Sequence, residues 1–289
     1  MINFTFIIPH RNSPHLLSRC LASIPDREDT QIIVVDDNSD EDKKPVIDRG
    51  SISIIYLNSE NSKGAGHARN VGLEHAKGIW VLFADADDTY TEQLISTLDT
   101  VINLGADVIY FNHYVVNGDT VQIGLSNFRE NPQSGKDIYN IKYHISAPWN
   151  KLVRLNFLKK YDIWFEECPV GNDLLFSYQV GYLSQDNYLV LNVPLYNYYI
   201  NSSSITHKRL NSEAYYLTRC NHILQMSSFF HFIGQKSHAR SIYSLLFAIM
   251  IKKGWPQFVL AIKTYLANRK AILANQYFFI NVIQSRIGR

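Results

Sequence analysis

Ile79-Trp80-Val81-Leu82-Phe83-Ala84 runs directly into Asp85-Ala86-Asp87-Asp88, an apolar run that ends in three carboxylates within four residues. The run is continuous rather than alternating, as in a strand buried on both faces. The acids beyond it repel one another, so packing gives no reason to gather them. A divalent cation relieves that repulsion, and hard carboxylate oxygens suit Mg²⁺ or Mn²⁺. A turn of solvated acids before a helix capped at Thr91 accounts for the same residues.

Working outward, the pattern recurs. Residues 4–8 read as a buried strand running into Pro9-His10-Arg11-Asn12, and the β-branched run at 32–35 leads into Asp36-Asp37-Asn38-Ser39. Further strands are expected at 52–57 and 107–116, and helices at 13–24, 64–76 and 91–104, the last stopped by Gly105. Strand and helix alternating over the first ~115 residues predict an α/β fold, a mostly parallel, Rossmann-like central sheet flanked by helices. Ligands gather at the carboxyl ends of such strands. The clusters His10-Arg11-Asn12, Asp36-Asp37-Asn38 and Asp85-Ala86-Asp87 are therefore expected to share one pocket. Beyond Asn117 the alternation fades, with a loop at 124–136, helical patterns after Ala147-Pro148 and Pro169-Val170, and short strands at 188–193 and 195–200. From 208 the pattern is helical, broken near Gly234 and at Gly254-Trp255-Pro256.

The 289 residues are 46% hydrophobic and 19% charged, which excludes disordered, collagenous and coiled-coil chains. Three distant cysteines form neither a disulfide framework nor a CxxC zinc site, so a reducing, cytoplasmic compartment is expected. The amino terminus lacks the basic region of a signal peptide, and the apolar run at 242–251 is about half a bilayer span. The net charge of +2 conceals an asymmetry: residues 208–289 carry twelve Lys or Arg against one acid, Glu213, leaving 1–207 acidic. A basic region of this kind suits phosphate-rich partners.

Individual constellations leave alternatives open. Asp37 can accept from a nucleobase or form an Asx turn. Lys63-Gly64-Ala65-Gly66 opens a helix but lacks the third glycine of a dinucleotide fingerprint. Arg69 can hold a phosphate or an Asp85-cluster carboxylate, or lie on the surface. Asp173 can be a helix cap or a general base. The sequence contains no HExxH, GxSxG or GxxxxGK[ST], which argues against a zinc hydrolase, an α/β-hydrolase and a P-loop NTPase.

Together these segments resemble family 2 glycosyltransferases of the GT-A fold, in order from Phe4 to His207. Phe6-Ile7-Ile8-Pro9-His10-Arg11-Asn12 resembles the family's opening strand, and Val34-Val35-Asp36-Asp37-Asn38-Ser39 its Val-Asp-Asp-Gly-Ser. Ala68-Arg69-Asn70-Val71-Gly72 is similar to its Ala-Arg-Asn-x-Gly, and Leu82-Phe83-Ala84-Asp85-Ala86-Asp87-Asp88 to its DxD strand end. Pro148-Trp149-Asn150-Lys151-Leu152 and Gly171-Asn172-Asp173-Leu174-Leu175-Phe176 are similar to two later segments, the second with Asn172 for the usual Glu.

The resemblance implies an inverting, metal-dependent transferase of hexosyltransferase type, acting in capsule, lipopolysaccharide or O-antigen synthesis. Pro9, His10, Asn12, Asp37, Arg69, Asp85 and Ala86 would bind a nucleotide-sugar, with Asp37 on a uracil base. Asp87 would bind Mn²⁺ or Mg²⁺, and His207 in Ser204-Ile205-Thr206-His207 is a candidate further metal ligand. Asp173 would be the base, and Trp149, Asn150, Lys151 and Asn172 would contact a glycan or lipid-linked glycan acceptor. The expected organisation is 1–116 for the donor, 117–207 for the acceptor and 208–289 as a basic helical region. That last region would meet an anionic membrane surface on the cytoplasmic side, pack on the catalytic part, or mediate homo-oligomer formation; nucleic acid is not an expected partner. The competing reading is a non-catalytic nucleotide-sugar or glycan-binding module on the same fold. A sugar nucleotidyltransferase would need a Gly-rich basic loop after the first strand, and Pro9-His10-Arg11-Asn12 is not one.

Overall fold

The computed structural model describes residues 1–46, 49–125, 128, 135–168, 170–200 and 212–287. The chain divides into two compact units, one formed by Met1–Glu167 with Asn172–Asn201, the other by Cys168–Gly171 with Ser202–Arg289. Among the described residues no helix is long and apolar enough to cross a membrane.

The first unit is built on one nine-stranded sheet ordered β3-β2-β1-β4-β8-β6-β9-β5, with β7 on β6. Its strands are β1 Phe4–His10, β2 Thr30–Asp37, β3 Ile52–Leu57, β4 Trp80–Phe83, β5 Thr89–Tyr90, β6 Val108–Asn117, β7 Thr120–Ile123, β8 Lys151–Arg154 and β9 Tyr188–Tyr199. The parallel sheet read from the sequence is β3-β2-β1-β4. Beyond β4 the sheet becomes mixed, because β8 enters antiparallel between β4 and β6.

Both faces of the parallel part are covered, as its unbroken apolar runs require. Phe4, Phe6, Ile8, Ile32 and Val34 pack on one side with Leu17 and Leu21 of α1 (Pro14–Ala22) and Leu94 and Leu98 of α3 (Gln93–Val101). On the other side Ile33, Val35 and Leu57 meet Ala68 of α2 (Ala65–His75). Between β2 and β3 the described residues form a single 3₁₀ turn, Glu41–Lys43.

Two local readings change. The strands expected at 188–193 and 195–200 are one strand, β9, whose pairing with β6 slips on either side of Asn112, opposite Pro194. Proline has no N–H to give to the ladder, and the irregularity absorbs it without ending the strand. Pro148–Asn150 is a single turn leading into β8 and then into α5 (Leu155–Lys160). A five-residue helix, α4 (Gly135–Tyr139), precedes it, and α6 (Leu174–Leu183) follows, buried along nearly its whole length.

The second unit is helical: α7 (Glu213–Phe232), α8 (Ile242–Lys253), α9 (Trp255–Ala274) and α10 (Phe278–Ile287). Ser212 and Ser241 cap α7 and α8 by accepting the N–H groups of Tyr215 and Ser244. Tyr216, Cys220, Ile223, Leu246, Ile249, Ala261 and Ile272 form its core.

Helix α2 approaches its neighbours closely. A Cβ on Gly66 would lie 2.2 Å from the Glu166 carbonyl oxygen and 2.9 Å from Asn172 Cβ. Gly66→Ala should therefore destabilise the fold by about 1–3 kcal/mol. Gly105→Ala, with nothing within 4 Å of the added Cβ, should change stability by less than about 0.5 kcal/mol. Urea unfolding of the two variants checks the difference.

Candidate active site

The carboxyl ends of β1, β2 and β4 deliver three polar loops to one edge of the sheet, and neighbouring acids there do different work. His10 and Asp36 are register partners. Ser13 N–H donates to His10 Nε2, so the ring proton sits on Nδ1 and is donated to Asp36 Oδ2 at 2.7 Å. Asp36 also accepts from Ser39 N–H and Ser39 Oγ, at 2.9 and 2.6 Å. Asn12, at φ 55°, gives its N–H to Ser39 Oγ and accepts from Asp40 N–H through Oδ1. Asp36 thus ties the two loops together. Asp37, one residue on and facing the other way along the strand, has among the described residues only distant donors, Gly64 N–H at 3.4 Å and Arg11 Nη1 at 3.9 Å.

The second group centres on Arg69. Its guanidinium, in α2, donates to Asp85 Oδ1 at 2.5 Å and to Asn172 Oδ1 at 3.0 Å, and lies over the Phe165 ring. Its neighbours in Ala68-Arg69-Asn70-Val71-Gly72 fix the helix. Asn70 exchanges two hydrogen bonds with the Phe165 backbone, and Gly72 lies against Ile7.

The three acids after β4 diverge. Asp85 pairs with Arg69. Asp88 is buried, accepting from Tyr196 Oη at 3.0 Å and Tyr199 N–H at 2.8 Å. The Tyr196 hydroxyl in turn accepts from Asp85 N–H. Burial, and then the charge of Asp85, push the Asp88 carboxyl up. Asp87 accepts no hydrogen bond from another side chain among the described residues, while Arg19 donates to its carbonyl oxygen. Burial and the Asp85 charge raise its pKa as well. An acid raised by burial and by a like charge, with only the weaker pull of Arg19 against them and no ion pair among the described residues, is suited to a hard divalent cation.

Asp173 occupies the position before α6, yet its side chain makes no capping hydrogen bond. Its carboxyl is raised: burial outweighs the attraction of nearby Arg69 and Lys151, and the Asp85 charge adds to the rise.

Several residues expected at ligands are instead internal. His10 is 2% exposed with both ring nitrogens engaged, so it supports Asp36 rather than facing a nucleotide. Asn12 spends its side-chain oxygen on the loop, and Ala86 packs into the core, while Pro9 remains partly exposed. Trp149 is buried, stacked on Tyr196 at 4.7 Å and on Tyr198 at 5.7 Å, bracing the tyrosine that holds the acid loop. Asn150 and Lys151 are fully buried, so neither reaches an acceptor from this conformation. Asn172 serves as the second anchor of Arg69. His207 lies outside the described residues. The sequence places Asp36 in the pocket cluster without its loop-tying role, and it gives no role to Tyr196 and Tyr199. Strand alternation at Asp36-Asp37 could have separated that pair, whereas nothing local links Tyr196 to Asp88, 108 residues away.

The glycosyl transferase family 2 profile matches residues 5–162. The chain belongs to that family. Poly(ribitol-phosphate) beta-N-acetylglucosaminyltransferase TarS of Staphylococcus aureus is 30% identical over 208 residues, 68% of this chain and 35% of that protein. Glycosyltransferase GlyA of Streptococcus pneumoniae is 26% identical over 220 residues, 70% of this chain and 31% of that protein. The chain thus spans about a third of the length of these family members. The crystal structure of S. aureus TarS 1–349 in complex with UDP-GlcNAc matches with a TM-score of 0.64 at 23% identity, covering 100% of this chain and 93% of that one, a likeness of fold.

Lys151 yields a pH prediction independent of catalysis. Its ammonium donates to Ala147 O at 2.7 Å and Ser177 Oγ at 3.3 Å, and burial pushes its pKa down to about 7. The unfolded value is about 10.4. Between the two the unfolded chain binds the extra proton, so stability rises with pH, by up to about 1.4 kcal/mol per unit. Lys151→Met should flatten the rise between pH 7 and 10 without abolishing it, because buried Lys142, pushed down to about 8, keeps its own share. Urea midpoints across that range measure the slope.

Proposed function

We propose that the chain is the catalytic part of an inverting glycosyltransferase that moves a sugar from a UDP-linked donor to a hydroxyl of a cell-surface glycan. One observation carries this reading: Asp173 stands at a helix start without capping it, its carboxyl raised, beside the Arg69–Asp85 pair. A stability role would spend that carboxylate on the helix; a general base needs it unspent and nearer neutrality. The family members matched include enzymes named for beta-linked transfer, among them the E. coli UDP-Glc:alpha-D-GlcNAc-diphosphoundecaprenol beta-1,3-glucosyltransferase WfgD, 26% identical over 121 residues, 40% of this chain and 48% of that protein. The solved neighbours include TarS structures with UDP-GlcNAc and with UDP.

In this reading residues 1–116 hold the donor and 117–207 contribute the acceptor side. Asp37, whose carboxylate has only distant donors among the described residues, accepts from the N–H of the uracil base beside Pro9. Arg69 fixes Asp85 toward the ribose or sugar. Asp173 takes the proton of the acceptor hydroxyl as its oxygen bonds to the anomeric carbon; the bond to the nucleoside diphosphate breaks with its electron pair, and configuration inverts. Mn²⁺ or Mg²⁺ held by Asp87 together with the donor's phosphates would neutralise the leaving diphosphate. The donor set fits such an ion: Asp87 is a hard oxygen ligand raised by burial and then by the Asp85 charge. The basic region 208–289 places the enzyme at an anionic membrane surface on the cytoplasmic side, where a lipid-linked acceptor would be met.

Asp173→Asn should retain donor binding and lose about 10²- to 10⁴-fold in transfer, because an amide cannot take the proton. Loss of donor affinity with turnover intact would make Asp173 structural. Isothermal titration with UDP-sugars and release of UDP separate the two outcomes. Asp87→Asn should abolish Mn²⁺-supported transfer while leaving the urea midpoint unchanged or raised, since it removes a charge that the fold holds at a cost. Undiminished activity in EDTA would remove the metal role.

A further inference from the structure

The helical unit contains a cavity that the transfer reaction does not use. It lies between α7 and α8 and has a volume of about 400 Å³. Four cations line it, Arg219 from α7, Arg240 just before α8, and Lys252 and Lys253 at the end of α8, and no acid among the described residues does. None of the four has an ion-pair partner among the described residues. Tyr216, 1% exposed, also lines it, and its buried hydroxyl has no hydrogen-bond partner among the described residues. Burial raises the pKa of that hydroxyl, so it stays protonated and can donate. The four cations are exposed and solvated, whereas an unsatisfied buried donor is costly on its own; an anion would pair with the cations and accept from that donor.

The rest of the lining is mostly apolar, with Leu245, Ala248 and Ile249 from α8 beside Ser244 and Tyr215. Beside it on the same helix, Tyr243 (77% exposed), Phe247 (59%) and Ile251 (66%) recur every four residues and form one stripe. On the helical wheel this stripe adjoins the face carrying Ser244, Ala248 and Lys252, so the rim of the cavity is apolar on one side and cationic on the other. A free phosphate or a polyol-phosphate polymer would use the cations and leave the stripe in water. A phosphate bearing a hydrocarbon chain uses both.

We infer that the α7–α8 cavity binds the phosphate headgroup of a membrane lipid, with Arg219, Arg240, Lys252, Lys253 and the Tyr216 hydroxyl on the phosphate and the stripe Tyr243–Phe247–Ile251 in the lipid interface. The inference rests on the membrane-docking reading of residues 208–289 and assigns it a specific site. Basic and aromatic residues side by side are the chemistry of an interfacial helix, and the cavity gives that helix a seat for one headgroup.

The test is co-sedimentation of the full chain with phosphatidylcholine vesicles, with and without phosphatidylglycerol, and with soluble polyphosphate as competitor. Each basic group at an anionic surface contributes roughly fivefold, so Arg219→Gln/Arg240→Gln should weaken binding to the anionic vesicles by about thirtyfold or more. The same charge change at Arg269→Gln/Lys270→Gln, on α9 and away from the cavity, should cost less. Tyr216→Phe should weaken binding without altering charge, and Phe247→Glu should weaken it too. UDP-induced thermal shifts, unchanged in all four, report folding. Equal losses in the two charge pairs would overturn the cavity and leave general surface attraction. No binding to anionic vesicles would overturn the docking reading and the cavity with it. Binding abolished by polyphosphate, with Phe247→Glu unaffected, would make the ligand a soluble phosphate polymer and overturn the lipid assignment.

Discussion

The Arg69 guanidinium is the contact on which the candidate active site depends. It is a buried cation, and such a charge is tolerated only when paired and hydrogen-bonded. Its two partners come from distant chain segments, Asp85 after β4 and Asn172 before α6. One side chain therefore sets the distance between the acid loop and the segment that carries Asp173. The rest of Ala68-Arg69-Asn70-Val71-Gly72 exists to hold that side chain in place: a small residue against the sheet, an amide locked to the Phe165 backbone, and a glycine pressed on Ile7.

Around this pair the carboxylates divide structural from chemical work by the donors they receive. Asp36 and Asp88 are saturated, the first by His10 and Ser39, the second by Tyr196 and the Tyr199 N–H. They pin the loops. Asp37, Asp87 and Asp173 sit next to them in sequence or space with few donors or none of their own. Loops held by the first set can present the second set without collapsing onto it. The stacked Trp149–Tyr196–Tyr198 group carries this logic into the core, since the hydroxyl that holds Asp88 is oriented by aromatic packing behind it.

The helical unit shows a different economy. Its charge is cationic almost without compensation, and its apolar residues are not all spent on its own core. Both features weaken a self-contained helical bundle and strengthen a surface that meets something anionic and apolar.

The alternating pattern of the first ~115 residues was sufficient for the parallel sheet, its strand limits to within a few residues, and the clustering of polar loops at the strand ends. Those features follow from local periodicity, which the chain carries in every window. Sequence also singled out Asp37, Arg69, Asp85, Asp87 and Asp173, because polar residues at strand ends and helix starts stand out against apolar runs. Tertiary structure alone decided which neighbour does which work. Asp87 and Asp88 look alike on the page, and a tyrosine 108 residues away takes one of them. The resemblance assigns Trp149, Asn150 and Lys151 to acceptor contacts, and the antiparallel insertion of β8 between β4 and β6 buries all three. A hydrogen-bond partner is a property of two chain positions, and only folding brings the second one into reach.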